Sequence, residues 1–163
     1  MWCTIMSNNF TKALEFVQKW EGFYSNDKFD PGGKTKYGIS DAGDGTVDGL
    51  VDLDGDGAGD VKVEELTLEQ AIQRYKTAYW DASKCDLLEL PMAVAVFDSA
   101  VNCGVGKARY WLRSSDTVKD LIVQRRAFYY ALVDKKPTMQ RYLKGWLNRL
   151  NDLDKYTTIL SAT

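Results

Sequence analysis

Residues 91–102 constrain this chain most. They read Pro-Met-Ala-Val-Ala-Val-Phe-Asp-Ser-Ala-Val-Asn, and the stretch Met92–Phe97 has no polar side at any helical period. A helix that is apolar all round has to be enclosed by others. Pro91 suits its first turn. The fold is therefore expected to wrap further elements around a central helix over about 91–102.

The candidates for those elements carry amphipathic patterns. Phe10, Ala13, Leu14, Val17 and Trp20 fall on one face of a helix over 10–20. Asn8 or Asn9 is placed to cap it and Gly22 to end it. Thr67-Leu68-Glu69-Gln70 is a capping-box signature. It opens a helix to about Asp81, with Ala71, Ile72, Tyr75, Ala78 and Tyr79 on one face. Gly104 and Gly106 break the chain. Helices over about 106–113, 117–134 and 138–155 follow. Between the first two helices, Phe23-Tyr24 and Lys36-Tyr37-Gly38-Ile39 read as short strand pieces around an Asp30-Pro31-Gly32-Gly33 turn. Gly32, Gly33 and Gly38 serve backbone shape. The expected class is α+β and mostly helical. A length of 163 residues suits a single domain.

Charge is unevenly placed. From Asp41 to Glu65 the chain carries nine acids (Asp41, Asp44, Asp48, Asp52, Asp54, Asp56, Asp60, Glu64 and Glu65) against one base, Lys62. The net charge of the whole chain is only −2. The body outside this insert is thus basic, which favours anionic partners such as wall polymers, membranes or nucleic acid. No nucleic-acid recognition motif appears.

Histidine is absent. Ser-His-Asp and Cys-His catalysis and imidazole metal sites are thereby excluded, and acid–base work falls to carboxylates, Lys, Tyr or Cys. Cys3, Cys85 and Cys103 match no zinc or redox spacing and read as free thiols in a reducing compartment. Met1–Met6 is apolar but lacks a basic leader and is shorter than the ~7–15 residues of a secretory core. No apolar stretch reaches the ~18 residues of a membrane span. Synthesis as a soluble cytoplasmic product is expected.

Glu21 closes the first helix. Helix C-termini disfavour anions, so this position favours the neutral acid. A carboxylic acid kept neutral is what protonates a glycosidic oxygen. Asp30 follows nine positions later and Thr35 five beyond that. Antiparallel segments can fold both back over the helix end, giving a second carboxylate and a hydroxyl to hold water. Spacing alone leaves Asp30 equally readable as an Asp-Pro turn former and Thr35 as a strand residue. Tyr24, Asn26, Tyr37 and Asn102 suit sugar rings and N-acetyl groups, or equally core and turn packing.

The run Glu21-Gly-Phe-Tyr-Ser-Asn-Asp-Lys-Phe-Asp-Pro-Gly-Gly-Lys-Thr-Lys-Tyr-Gly-Ile39 resembles the signature of glycoside hydrolase family 108. Phe23 stands where that pattern has a second Gly. Leu66-Thr67, Tyr79-Trp80-Asp81, Phe97-Asp98-x-Ala100-Val101-Asn102-x-Gly104 and Arg125–Tyr129 resemble the peptidoglycan-binding helical half that accompanies the family. Together these cover about residues 10–155, interrupted by the acidic insert.

The resemblance implies a lysozyme-like fold in a single domain over 1–163. Residues 8–65 would hold the catalytic helix, β-region and insert, and 66–158 the peptidoglycan-binding lobe. It also implies an N-acetylmuramidase that cleaves the β-1,4 bond between N-acetylmuramic acid and N-acetylglucosamine. Glu21 would be the general acid, with Asp30 and Thr35 positioning water. A phage endolysin of this kind would act on peptidoglycan and wait in the host cytoplasm until a holin opens the membrane, with a monomer as the default expectation. The alternative is a non-catalytic peptidoglycan-binding or secretion-assisting protein, against which Glu21, Asp30 and Thr35 together argue.

The insert resembles the front half of an EF-hand loop. Asp52, Asp54, Asp56 and Asp60 take loop positions 1, 3, 5 and 9, with Gly57 at 6. Position 12 is then Val63 rather than Glu. A register starting at Asp54 puts Glu65 at 12 but Ala58 at 5. The first register is favoured, with Ala58 offering its carbonyl. An all-oxygen donor set selects a hard cation, and calcium as a structural ion is the expectation. A solvated acidic loop without metal is the plain alternative. A calcium sensor is disfavoured, since sensors pair two such loops.

Overall fold

In the computed structural model, residues 7–21, 35–40 and 48–163 are described. Their architecture is α+β and mostly helical. Six α-helices run in chain order: α1 (Asn8–Glu21), α2 (Leu68–Tyr75), α3 (Leu90–Cys103), α4 (Val105–Arg113), α5 (Val118–Lys135) and α6 (Gln140–Ser161). Among the described residues, two hairpins lie between α1 and α2. In one, β1 (Thr35–Lys36) pairs antiparallel with β2 (Ile39–Ser40). In the other, β3 (Leu50–Val51) pairs antiparallel with β4 (Val61–Lys62).

The apolar segment is the hub. Every residue from Ala93 to Ala100 is buried, and α3 packs against α1, α4, α5 and α6. Phe97 meets Phe10 of α1 and Trp80 edge-on, with ring centroids 5.7 and 5.5 Å away, and Phe10 and Trp80 are 5.4 Å apart. Fully burying each such ring stabilises by ~1.5–3 kcal/mol.

The helix starts follow local chemistry. Thr67 Oγ1 accepts from the Gln70 N–H at 3.2 Å, and Gln70 Oε1 accepts from the Thr67 N–H at 2.9 Å. This is the capping box expected from the sequence. Thr117 and Asp120 close a second one on α5. At α1 the expectation is corrected. Ser7 Oγ accepts the Phe10 N–H at 3.3 Å, so Ser7 is the cap, and Asn8 and Asn9 are already helical.

Other boundaries differ too. Lys36–Ile39 is not one strand piece. Tyr37 and Gly38 form its turn, both with positive φ (54° and 76°), as a tight two-residue hairpin requires. The helix from Thr67 changes at Lys76 into a π-helical turn, Lys76–Asp81. Helix α6 runs to Ser161, beyond the expected end near 155. Within the insert, Leu50 lies opposite Lys62 and Val51 opposite Val61. Val51, Val63 and Leu66 fasten it to the core. No helix among the described residues is long and apolar enough to cross a membrane. Cys85 and Cys103 are free thiols.

Candidate active site

Glu21 is the last residue of α1, and its side chain is 23% exposed. The helix end is fixed from α6. Asp152 accepts from Lys19 Nζ and from Trp20 Nε1, each at 2.7 Å. Glu21 Oε1 itself accepts from Arg149 Nη1, also on α6, at 2.7 Å. A cation therefore stands against this carboxyl, which helix-end reasoning alone did not include.

Arg149 is held from behind. Its Nε and Nη2 donate to Asp98 Oδ1 at 3.0 and 2.7 Å. Asp98 lies on α3 and is fully buried. Its other oxygen, Oδ2, accepts from Arg125 Nη1 of α5 at 2.6 Å. Arg125 is also fully buried, and donates further to Ser99 Oγ, Asn102 Oδ1 and the Tyr129 hydroxyl. Four helices thus contribute one charge each: Glu21 from α1, Asp98 from α3, Arg125 from α5 and Arg149 from α6. Burial pushes the Asp98 carboxyl up, but the Arg149 and Arg125 guanidiniums hold it below the ordinary carboxylate range. Burial pushes both arginines down, but their anionic and hydrogen-bonding partners together push them up: Asp98, Tyr129 and Cys103 for Arg125, and Asp98 and Glu21 for Arg149.

The β1–β2 hairpin closes over Glu21. The Tyr75 hydroxyl donates to the Tyr37 carbonyl at 2.8 Å, and Lys36 Nζ donates to the Glu64 carbonyl at 2.9 Å. A Cβ on Gly38 would lie 2.5 Å from Tyr75 Oη and 2.8 Å from Glu21 Cβ. Burial first, and then the charge of Glu21, push the Tyr75 phenol up, so it remains a neutral donor.

Of the residues singled out in the sequence, Glu21, Tyr37 and Asn102 converge on this region. Tyr37 is in the turn above Glu21. The Asn102 amide oxygen is used inside the network, accepting from Arg125 Nη2 at 3.1 Å, from the Tyr129 hydroxyl and from Cys103 Sγ. Thr35 lies in β1, its backbone paired with Ser40. Tyr24, Asn26 and Asp30 lie outside the described residues. Asp98, Arg125 and Arg149 were not anticipated. One signal was available: Asp98 sits in an otherwise apolar helix, where a carboxylate needs cationic partners.

A second cluster occupies the insert. Asp52, Asp54 and Asp60 each offer a carboxylate oxygen, all within 4.8 Å of one another. Asp52 accepts from the Gly55 and Gly57 N–H groups at 2.6 and 2.9 Å, and its carbonyl accepts from buried Arg74. The Gly57 N–H, the largest influence, holds the Asp52 carboxyl below its ordinary range. Asp60 Oδ2 accepts the Leu53 N–H at 2.7 Å. Asp56 is not in that trio, and its Oδ1 accepts the Ala58 N–H at 2.7 Å.

Two family matches cover most of the chain. Residues 14–104 match the family described as glycosyl hydrolase 108, and residues 99–151 match a predicted peptidoglycan domain. Neither the comparison with curated proteins nor that with solved structures gave a match. The charge network spans both matched segments: Glu21 and Asp98 fall in the first, Arg125 and Arg149 in the second.

Proposed function

Because this chain belongs to the glycosyl hydrolase 108 family and is thereby a peptidoglycan-directed glycoside hydrolase, we propose that it is an N-acetylmuramidase with Glu21 as its general acid. It cleaves the β-1,4 bond between N-acetylmuramic acid and N-acetylglucosamine. Glu21 gives its proton to the bridging oxygen as the bond from that oxygen to the anomeric carbon breaks. Water adds to the anomeric carbon from the opposite face and loses a proton to Asp30, with Thr35 holding the water. Attack from that face would invert the anomeric centre. Tyr24, Asn26, Tyr37 and Asn102 line the sugar groove.

The observation that supports this reading is the placement of Glu21. It is a partly exposed carboxyl at a helix end, beneath a hairpin turn, with Arg149 at 2.7 Å. The test is Glu21→Gln on purified peptidoglycan, with circular dichroism as the check on folding. Loss of lysis by a folded variant is expected, and wild-type turnover would remove Glu21 from the reaction. Mass spectrometry of the wild-type digest should find the new reducing end on N-acetylmuramic acid. A new reducing end on N-acetylglucosamine would overturn the bond assignment.

The acidic insert is proposed to hold a structural calcium ion. Asp52, Asp54 and Asp60 supply clustered oxygens, and Asp56 and the Ala58 carbonyl would complete the set. All-oxygen donors suit a hard cation. Calorimetric titration at millimolar calcium tests this, and absence of binding ends it. The enzyme is proposed to act as a monomer, made in the host cytoplasm and admitted to the wall by a holin.

A further inference from the structure

We propose that Arg149 is a positioning residue for Glu21, and that Asp98 and Arg125 exist to aim it. The inference rests on Glu21 being the proton donor. The argument begins with donor geometry. Arg149 gives Nε and Nη2 to Asp98 Oδ1, at 3.0 and 2.7 Å. These two bonds fix the guanidinium plane. The remaining nitrogen, Nη1, then points at Glu21 Oε1, 2.7 Å away. Asp98 is fixed in turn by Arg125 at 2.6 Å, and Arg125 by Ser99, Asn102 and Tyr129. Each side chain in this relay, from Tyr129 through Arg125 and Asp98 to Arg149, is thus hydrogen-bonded to the next.

Charge gives the second step. Asp98 is one anion between two buried cations, so the set Asp98–Arg125–Arg149 carries a net positive charge. Glu21 is the side chain that supplies the balancing charge once it has given up its proton. A general acid is neutral before it reacts and becomes a carboxylate as the glycosidic oxygen takes its proton. The attraction of Arg149 thus grows along the reaction, and only interactions that strengthen in the transition state raise turnover. The same fixed cation holds the Glu21 carboxyl in place for transfer. The charged and titratable side chains facing Glu21 among the described residues are Arg149 from α6, and Tyr75 and Tyr79 from α2 and the π-helical turn. Both phenols are pushed up by burial first, so Arg149 is the charged one.

Two variants test this on soluble peptidoglycan fragments, with activity expressed per folded molecule. Arg149→Lys keeps the cation but cannot reach both carboxylates with a fixed fork. Its kcat is expected to fall by about tenfold or more while KM changes by less than about twofold. Arg149→Met removes the cation that favours the carboxylate formed as the proton leaves, and its kcat should fall at least as far as that of Arg149→Lys. A structural role alone would lower the folded fraction but leave kcat per folded molecule in place, and that result overturns the proposal. If Arg149→Met does not fold, the kcat and KM of Arg149→Lys decide. Glu21→Gln separates the two readings. If it is fully active, the assignment of Glu21 fails. If it is inert while Arg149→Lys keeps wild-type kcat, only the positioning role fails.

Discussion

Gly38 and Glu21 are packed so closely that a methyl group on the glycine would lie 2.8 Å from the Glu21 Cβ. Gly38 also has a φ of +76°, which L side chains rarely adopt. Gly38→Ala therefore meets strain from both its backbone and its neighbours. It is expected to destabilise by about 1–3 kcal/mol, as overpacked sites do. The hairpin must lift off the helix end to relieve the clash, so lysis should fall further than stability does, on the order of 100-fold. Denaturant titration beside a turbidity-clearing assay measures both. A variant with wild-type activity and stability would show that the turn does not press on Glu21.

Asp98 gives the pH dependence of stability. Burial pushes its carboxyl up, but Arg149 and Arg125 pull it below the ordinary value of 3.8. A carboxylate depressed by folding contributes stability that is complete above its unfolded value and lost as pH falls through its folded value. Asp98→Asn leaves buried Arg125 without its anion and Arg149 with Glu21 alone, and should cost about 3–5 kcal/mol at neutral pH. The deficit should shrink below about pH 4, where the unfolded wild-type chain takes a proton on this carboxyl and the advantage of the folded carboxylate falls. Melting temperatures of both proteins from pH 7 to pH 3 test this. Parallel curves over that range would count against the assignment.

The helices were legible because their apolar residues repeat at helical spacing over many turns. The run Ala93–Ala100 is as buried as its composition demanded. The capping box at Thr67 and the shape role of Gly38 were legible from residue type. Strands β3 and β4 were not, since two-residue strands are too short to display alternation. The charge network was hidden for a different reason. Asp98 reaches Arg125 and Arg149 across 27 and 51 positions, and Arg149 reaches Glu21 across 128. No local pattern encodes such pairings; only the lone carboxylate in α3 announced that partners must exist.

Arg74 should control the order of the acidic insert without touching the rest of the fold. It is buried on α2 and donates to the Asp52 carbonyl. Arg74→Met keeps the apolar stem but leaves that carbonyl without its donor, a loss of about 1–3 kcal/mol. The loss falls on the insert, because that is where the acceptor lies. Amide hydrogen exchange should quicken across β3 and β4 while α3 keeps its protection. Uniform quickening through all helices would show that Arg74 supports the global fold instead.

Cys85 and Cys103 should differ sharply toward alkylating reagents. Cys85 is buried, and burial, followed by the charges of Asp86 and Asp81, pushes its thiol up to about 12. The reactive species is the thiolate, which at pH 8 is then only on the order of one part in 10,000 at this site. Cys103 is partly exposed at the end of α3. Iodoacetamide at pH 8 should therefore label the peptide containing Cys103 well before the one containing Cys85. Cys85 should take label only on adding denaturant, when burial and its neighbouring carboxylates no longer act on it. Peptide mapping by mass spectrometry reads the order directly. Equal labelling of both cysteines in the native protein would mean that the Cys85 pocket opens on the timescale of the reaction.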